Sequence, residues 1–283
     1  MLTRVGLIGL GRTGKVVARN IIEHPQLELV MAVVSPGGEK VGRDLGDLLG
    51  TSPQNLRVTG GNHLQTELMR TNPDIVVDFT NPGVCLKNAR IISLNKKHLI
   101  IGTTGFSKEQ IILLKQLAQA QRITVVYAPN LSLGINVLLS MVKKAVDTLD
   151  KWDVEIIETH HRYKKDAPSG TAVRIAEEIA GWSGVPLETS VLYSRKGLSE
   201  RKNGEITIHA IRGGGVIGIH EVVFLSDHEK LSVRHESLSR DAFADCLVKV
   251  IHFVTHSQPG FYFVEKTLGL DEDNIIFEED NLA

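Results

Sequence analysis

The sequence predicts an α/β protein of two domains, the first a doubly wound parallel sheet and the second an α+β domain built on an open mixed sheet. Three observations carry this expectation. Short apolar runs alternate with helix-periodic segments through the first half of the chain, a glycine-rich turn joins the first run to the first helix, and past residue 134 the runs turn polar at alternate positions.

The first-half runs are RVGLIG, ELVMAVV, DIVVDFT, HLIIGTT and ITVVYAP, continuous in Val, Ile and Leu rather than alternating. A strand with no polar face is covered on both sides, as in parallel sheets. The cover is supplied by segments such as GKVVARNIIEH, GVCLKNARIISLN and SKEQIILLKQLAQA, whose apolar residues recur at helical spacing. GINVLLSMVKKAVDTLD then reads as a helix. DVEIIETHH, EITIHAIRG, IHEVVFLS and KLSVRHESL read as four strands with one exposed or associating face, interrupted by one helix, TAVRIAEEIAGW. A final helix, RDAFADCLVKVIHFVTHS, is expected to return to the first domain. The expected division is 1–133 with 241–270 for a discontinuous first domain and 134–240 for the second. Residues 271–283 form a tail with six acidic residues and no basic one.

At 283 residues, 42% hydrophobic and 23% charged, with a net charge of -1, the chain has the balance of a soluble globular protein. Nucleic acid and membrane surfaces both select a basic excess that is missing here, so neither is expected as a partner. No apolar run approaches the roughly 20 residues of a membrane span, and MLTRVGLIGLG does not read as a signal peptide. Cys85 and Cys246 stand far apart in apolar surroundings without metal-ligand spacing, which fits reduced core thiols in the cytoplasm.

The first chemical signal is Gly9-Leu10-Gly11-Arg12-Thr13-Gly14, which follows the first strand and opens the first helix. In a Rossmann-like fold the first glycine permits the tight turn, the second lets the backbone approach a pyrophosphate, and the third allows close helix packing; the helix N-terminus supplies N–H donors. An acid at the end of the second strand would bind the 2′-hydroxyl of NADH and repel a 2′-phosphate. Val34 and Ser35 stand there instead, with Glu39 farther on, so NADPH is slightly favoured over NADH. Arg12, Ser35 and Lys40 are candidates for the phosphate. Gly102-Thr103-Thr104-Gly105 and Ala128-Pro129-Asn130-Leu131 each follow a strand, where ligands bind in open α/β sheets, and Asp78-Phe79-Thr80 can join the same rim.

The second signal is VEIIETHHRYKKDAPSGTA, residues 154–172. Ser169, Gly170 and Thr171 precede a helical pattern, so hydroxyls and N–H groups can converge on a carboxylate. Lys164 adds positive charge, and adjacent His160 and His161 on an extended segment point to opposite faces. One histidine suits proton transfer and the other binding or packing. No metal site is expected, because no set of residues has ligand spacing. A nicotinamide site, a carboxylate cradle and a proton donor together imply hydride transfer to an unsaturated, negatively charged small molecule.

Residues Glu158 to Ala172 also match, without a break, the motif E-x-H-H-x-x-K-x-D-A-P-S-G-T-A, and the sequence resembles the 4-hydroxy-tetrahydrodipicolinate (dihydrodipicolinate) reductases of lysine and diaminopimelate synthesis. The GRTG turn, VDFT, GTTGF, APNLSLGINVL, RGGGVIGIHEVVF and GFYFVEKTLGL extend the resemblance to about Leu270. It implies that His160 donates or accepts the proton, that Lys164 is a second donor, and that His161, Ser169, Gly170 and Thr171 hold a dicarboxylate substrate. It further implies cofactor contacts at Gly9 to Gly14, Gly102 to Thr104 and Ala128 to Leu131, and assembly as a homotetramer through the second domain. Thr13 replaces the family's usual methionine, and the acid-then-arginine pair of members that use both cofactors is missing after the second strand. Two other readings share the scaffold: a reductase of another cyclic imine, and a non-catalytic NADP-binding sensor. The intact set from Glu158 to Ala172 argues against both.

Overall fold

The computed structural model describes residues 2–239 and 241–270, so the acidic tail lies outside the described residues. In chain order, β1 (Thr3–Ile8), α1 (Arg12–Glu23), β2 (Leu27–Val34), α2 (Leu45–Leu49), β3 (Thr59–Gly60), α3 (Leu64–Thr71), β4 (Ile75–Asp78), α4 (Pro82–Leu94), β5 (His98–Ile101), α5 (Lys108–Gln121) and β6 (Thr124–Tyr127) come first. They are followed by α6 (Leu133–Thr148), β7 (Asp153–His160), α7 (Gly170–Trp182), α8 (Leu187–Ser190), β8 (Val191–Tyr193), β9 (Ile206–Arg212), β10 (Gly218–Leu225) and β11 (Lys230–Ser237). α9 (Ala242–His256), β12 (Gly260–Phe263) and α10 (Val264–Thr267) complete the described chain. The described residues gather into two compact units, 2–131 with 241–269 and 132–239 with Leu270.

The first unit is a seven-stranded sheet of order β12-β6-β5-β4-β1-β2-β3, with every pairing parallel. Its central strands are apolar on both faces: Val5, Leu7, Ile75, Val76, Val77, Leu99, Ile100 and Ile101 are all fully buried. The order reverses between β1 and β4, the position at which ligands bind in doubly wound sheets. Four bonds continue the ladders past the strand ends: Gly9 N donates to Val33 O at 2.8 Å, Phe79 N to Ile8 O at 2.8 Å, Gly102 N to Asp78 O at 2.9 Å and Ala128 N to Ile101 O at 2.8 Å. The loops after β1, β4, β5 and β6 therefore leave one sheet edge side by side. The sequence did not reveal β3, which is two residues long, or β12, whose GFYF is short and follows Pro259. β12 pairs with β6, and its Phe263 ring meets that of Tyr127 at 6.0 Å.

The second unit is a mixed sheet of order β11-β10-β7-β9-β8. β10 is antiparallel to β11 and β7, whereas β7, β9 and β8 run parallel. It has five strands where the sequence predicted four, because β8, only three residues, gives no periodic signal. Along β7, Val154, Ile156, Glu158 and His160 are buried and their neighbours half-buried, the two-residue period of a strand with one packed face. That face shares a core with Ile135, Leu138 and Val142 of α6 and Ile175, Ala176 and Ile179 of α7. The other face carries an ionic cluster in which Glu155 accepts from Arg201 and, at 2.6 Å, from His209 Nε2, while Arg195 pairs with Glu205 at 2.8 Å. Among the described residues no helix is long and apolar enough to cross a membrane. Both cysteines are free and buried, and burial raises both thiol pKa values, that of Cys246 to about 12.

The glycine turn after β1 is sterically exact at two of its three glycines. Gly9 has φ +96°, and a Cβ there would lie 2.5 Å from Phe79 O; a Cβ on Gly14 would lie 1.9 Å from Gly9 O, whereas one on Gly11 would meet nothing within 4 Å. Gly14→Ala is therefore expected to cost about 1–3 kcal/mol, several degrees in Tm, and Gly11→Ala much less. Thermal unfolding of the two variants checks the order, and equal losses would contradict this account of the turn.

Candidate active site

The first unit supplies an anion cradle. α1 has Gly11 as its N-cap, with no side-chain cap and no acid in its first turn, so among the described residues no capping side chain or first-turn acid offsets its N-terminal N–H groups and dipole. Arg12, Thr13 and Ser35 are exposed beside this turn's two ends, and Lys40 Nζ donates to Leu10 O at 2.7 Å, anchoring a cation on the loop. Leu10 itself is buried and contributes only backbone. The open space at Gly11 and the uncapped helix fit a dinucleotide's pyrophosphate.

The neighbouring loops are braced from within. Asp78, fully buried, accepts from Thr80 N at 2.9 Å, Thr80 Oγ1 at 2.6 Å, Asn88 Nδ2 at 2.8 Å and Thr103 Oγ1 at 3.2 Å. The Thr103 hydroxyl is thus turned inward, and Gly102 is small because a Cβ there would lie 2.2 Å from the Phe79 ring. Thr104 is exposed; of the residues after β6, Pro129 and Asn130 are half-buried, and Ala128 and Leu131 are buried.

The second unit brings the residues of the 154–172 stretch together around a carboxylate that the sequence reading passed over. Glu158 is fully buried on β7, and each of its oxygens accepts twice. Oε1 takes Ser169 N at 2.9 Å and Arg212 Nη2 at 2.6 Å; Oε2 takes His160 Nδ1 at 2.6 Å and Arg212 Nη1 at 2.8 Å. The two-residue period puts Glu158 and His160 on one face, a signal the sequence did contain. Arg212 was not legible, because it reaches the site only through the parallel pairing that sets it opposite His160.

Ser169 caps α7 by accepting from Ala172 N at 3.2 Å, and its hydroxyl lies 3.0 Å from His220 Nε2 on β10. Its own N–H is spent on Glu158. Ser169, expected to face a ligand, is buried here, and its hydroxyl and N–H hold the turn. Gly170 and Thr171 occupy the first two positions of α7. Lys164 lies in the turn after β7 with Nζ 2.8 Å from Asp166 Oδ2. His161 is half-buried, its ring tilted against Tyr163 at 6.3 Å, and its Nδ1 has no partner among the described residues. Among the described residues no group of three or more His, Cys, Asp or Glu could hold a metal ion.

Burial dominates the titration of this cluster. It works to raise the pKa of Glu158, but hydrogen bonds from Arg212, His160 and Ser169 outweigh it and hold the group below the usual range. Burial lowers His160, and the bond to Glu158 only partly restores it. His220, most deeply enclosed, is pushed down to about 3 by burial and by His160. Between that value and its unfolded 6.5, the unfolded chain binds a proton that the folded chain refuses, so the stabilisation from a neutral His220 is complete above 6.5 and falls with pH at up to about 1.4 kcal/mol per unit. His220→Gln keeps a donor for Ser169 without titrating and should flatten the decline. Thermal melts of both proteins between pH 4 and 7.5 check this, and parallel curves would remove His220 as the cause.

Comparison with known proteins identifies the family from the sequence of both units. A model described as dihydrodipicolinate reductase, N-terminus, matches residues 3–131, and one described as dihydrodipicolinate reductase, C-terminus, matches residues 134–268. The 4-hydroxy-tetrahydrodipicolinate reductase of Methanothermobacter thermautotrophicus is 38% identical over 261 residues, covering 92% of this chain and 96% of the relative. That of Methanocaldococcus jannaschii is 37% identical over 273 residues, covering 96% and 99%. The solved structure of the dipicolinate-bound dihydrodipicolinate reductase from Paenisporosarcina sp. TG-14 superimposes with a TM-score of 0.72 at 27% identity, covering 94% of this chain and 99% of that one. Matched along nearly its whole length, the chain belongs to the dihydrodipicolinate reductase family.

Proposed function

We propose that the protein reduces 4-hydroxy-tetrahydrodipicolinate to tetrahydrodipicolinate with NADPH or NADH, a step of lysine and diaminopimelate synthesis. The observation that carries this reading is the grouping, in one unit, of a carboxylate-held histidine, a lysine and a helix N-terminus at the end of β7. Overall, one hydride and one proton enter and one water leaves. The bound nicotinamide supplies the hydride. Loss of the hydroxyl as water, together with a proton from the adjacent ring carbon, leaves a C=C conjugated with the imine; hydride addition to that ring leaves negative charge on a neighbouring atom, and His160 and Lys164 lower the barrier by delivering the one net proton there. Gly170 and Thr171, at the positive end of α7, bind a substrate carboxylate together with His161, and Ser169 keeps that turn in place. The dipicolinate in the Paenisporosarcina structure supports a dicarboxylate of this class as the ligand.

For the cofactor, Gly9 to Gly14 cradle the pyrophosphate, with Gly102 to Thr104 and Ala128 to Leu131 on the same rim. No acid ends β2 to repel a 2′-phosphate, and exposed Arg12 and Ser35 with Lys40 are at hand, so NADPH serves at least as well as NADH. With substrate made by condensing pyruvate with aspartate semialdehyde, both cofactors should be oxidised, NADPH no less efficiently. His160→Gln and Lys164→Met should each lower kcat by roughly 10²–10⁴-fold with NADPH binding retained. Thr171→Ala should act on KM, losing about 1.5–3 kcal/mol of a charge-assisted bond. Turnover of other cyclic imines alone, or NADPH binding without any turnover, would replace this reading by one of its two rivals.

We also infer a cytoplasmic homotetramer. The outer face of the five-stranded sheet exposes Ile211, and its edge strands β8 and β11 have unpaired backbone that association would cover. Light scattering at micromolar concentration should give four chains per particle; a monomer would contradict the inference.

A further inference from the structure

We infer that Glu158 is a positioning residue for proton transfer: it holds the His160 ring with hydrogen on Nδ1, leaves Nε2 to exchange protons, and ties that ring to the first residue of the carboxylate-binding turn. The inference rests on the proposed role of His160. A carboxylate can only accept, so the 2.6 Å contact requires a proton on His160 Nδ1. The carboxylate itself cannot turn away. Four donors from three separate segments, namely Arg212 twice, Ser169 N and His160, saturate its two oxygens, and no part of it is exposed.

The ring is fixed on its remaining sides as well. A Cβ on Gly218 of β10 would lie 3.1 Å from His160 Nε2, so glycine there makes the room this orientation needs. The His220 ring meets it edge-on, with centroids 5.3 Å apart and planes at 77°. The titratable and charged groups facing His160 are Glu158 on its own strand, Arg212 on β9, His220 on β10 with His235 of β11 behind it, and Lys164 on the following turn. Of these, Glu158 is the one whose charge favours the proton-carrying ring. A carboxylate that orients a catalytic imidazole acts in this way in serine hydrolases, where loss of its charge leaves the ring in the wrong tautomer.

Two measurements on the NADPH-bound protein test the inference. Nitrogen-15 NMR of the histidine rings should show neutral His160 of the wild type protonated at Nδ1; protonation at Nε2 would overturn it, whatever the enzyme's substrate. The second uses Glu158→Gln and, because half-buried Arg212 would then lose its main counter-charge, Glu158→Gln combined with Arg212→Met. In whichever folds, kcat should fall on the order of 10²-fold or more, the histidine-dependent limb of the kcat profile should move to lower pH, and KM and NADPH affinity should change far less. An unchanged kcat and pH limb in a folded variant would reduce Glu158 to a brace. A wild type that turns over no substrate would instead strike at the proposed function, leaving the NMR result to decide the role of Glu158.

Discussion

A carboxylate with no exposure to water dictates the layout of the second unit. Isolating such a charge in a protein interior costs several kcal/mol, which is recovered only when every lone pair meets a donor in good geometry. Glu158 meets this condition by drawing on β9 through Arg212, on the turn before α7 through Ser169 N, and on its own strand through His160. Each donor depends on a separate feature of the fold: the parallel register of β7 and β9, the path of the chain from Asp166 to Ser169, and the strand's alternation. Breaking a buried pair by removing one partner typically costs about 3–5 kcal/mol, so these features are locked to one another.

The same face keeps its other polar groups neutral. In the sheet register Glu158 lies opposite His220, and His220 opposite His235, giving a row across three strands. Burial lowers the pKa of both histidines, and the row therefore adds no charge to the Glu158 and Arg212 pair. Its contribution is geometric. His220 fixes the Ser169 hydroxyl, while His235 fills the space left by Gly134 at the start of α6, where a Cβ would lie 2.4 Å from its ring.

What the sequence revealed followed the range of the interactions involved. Doubly buried strands, helix periods and the glycine turn are local patterns, and they appear where expected. β8 and β12 escaped because three or four residues carry no period. In the candidate active site, His160, Lys164 and the α7 cap sit within one short stretch and were legible as a group, as was Glu158 in principle through the strand period. Arg212, Gly218 and His220 join them by strand pairing at separations of 50 residues or more, which no local pattern encodes. The sequence also could not say which way a polar group faces. Ser169 and Thr103 carry the residue types of ligand-binding loops, yet their hydroxyls are turned inward, to His220 and to Asp78.

In the proposed mechanism the depressed basicity of His160 makes its chemistry a compromise. A lower pKa makes the protonated ring a stronger acid but a scarcer one, and general acids work best when their pKa lies near the working pH. Burial, Lys164 and Arg212 all push toward the scarce, strong acid, while Glu158 pushes back through a hydrogen bond and its charge. Arg212 plays both sides. It disfavours the imidazolium directly, yet it holds Glu158 ionised in a place where a lone carboxyl would take up a proton and lose its hold on the ring. The ion pair thus lets a histidine be buried without surrendering the proton that the proposed mechanism asks it to deliver.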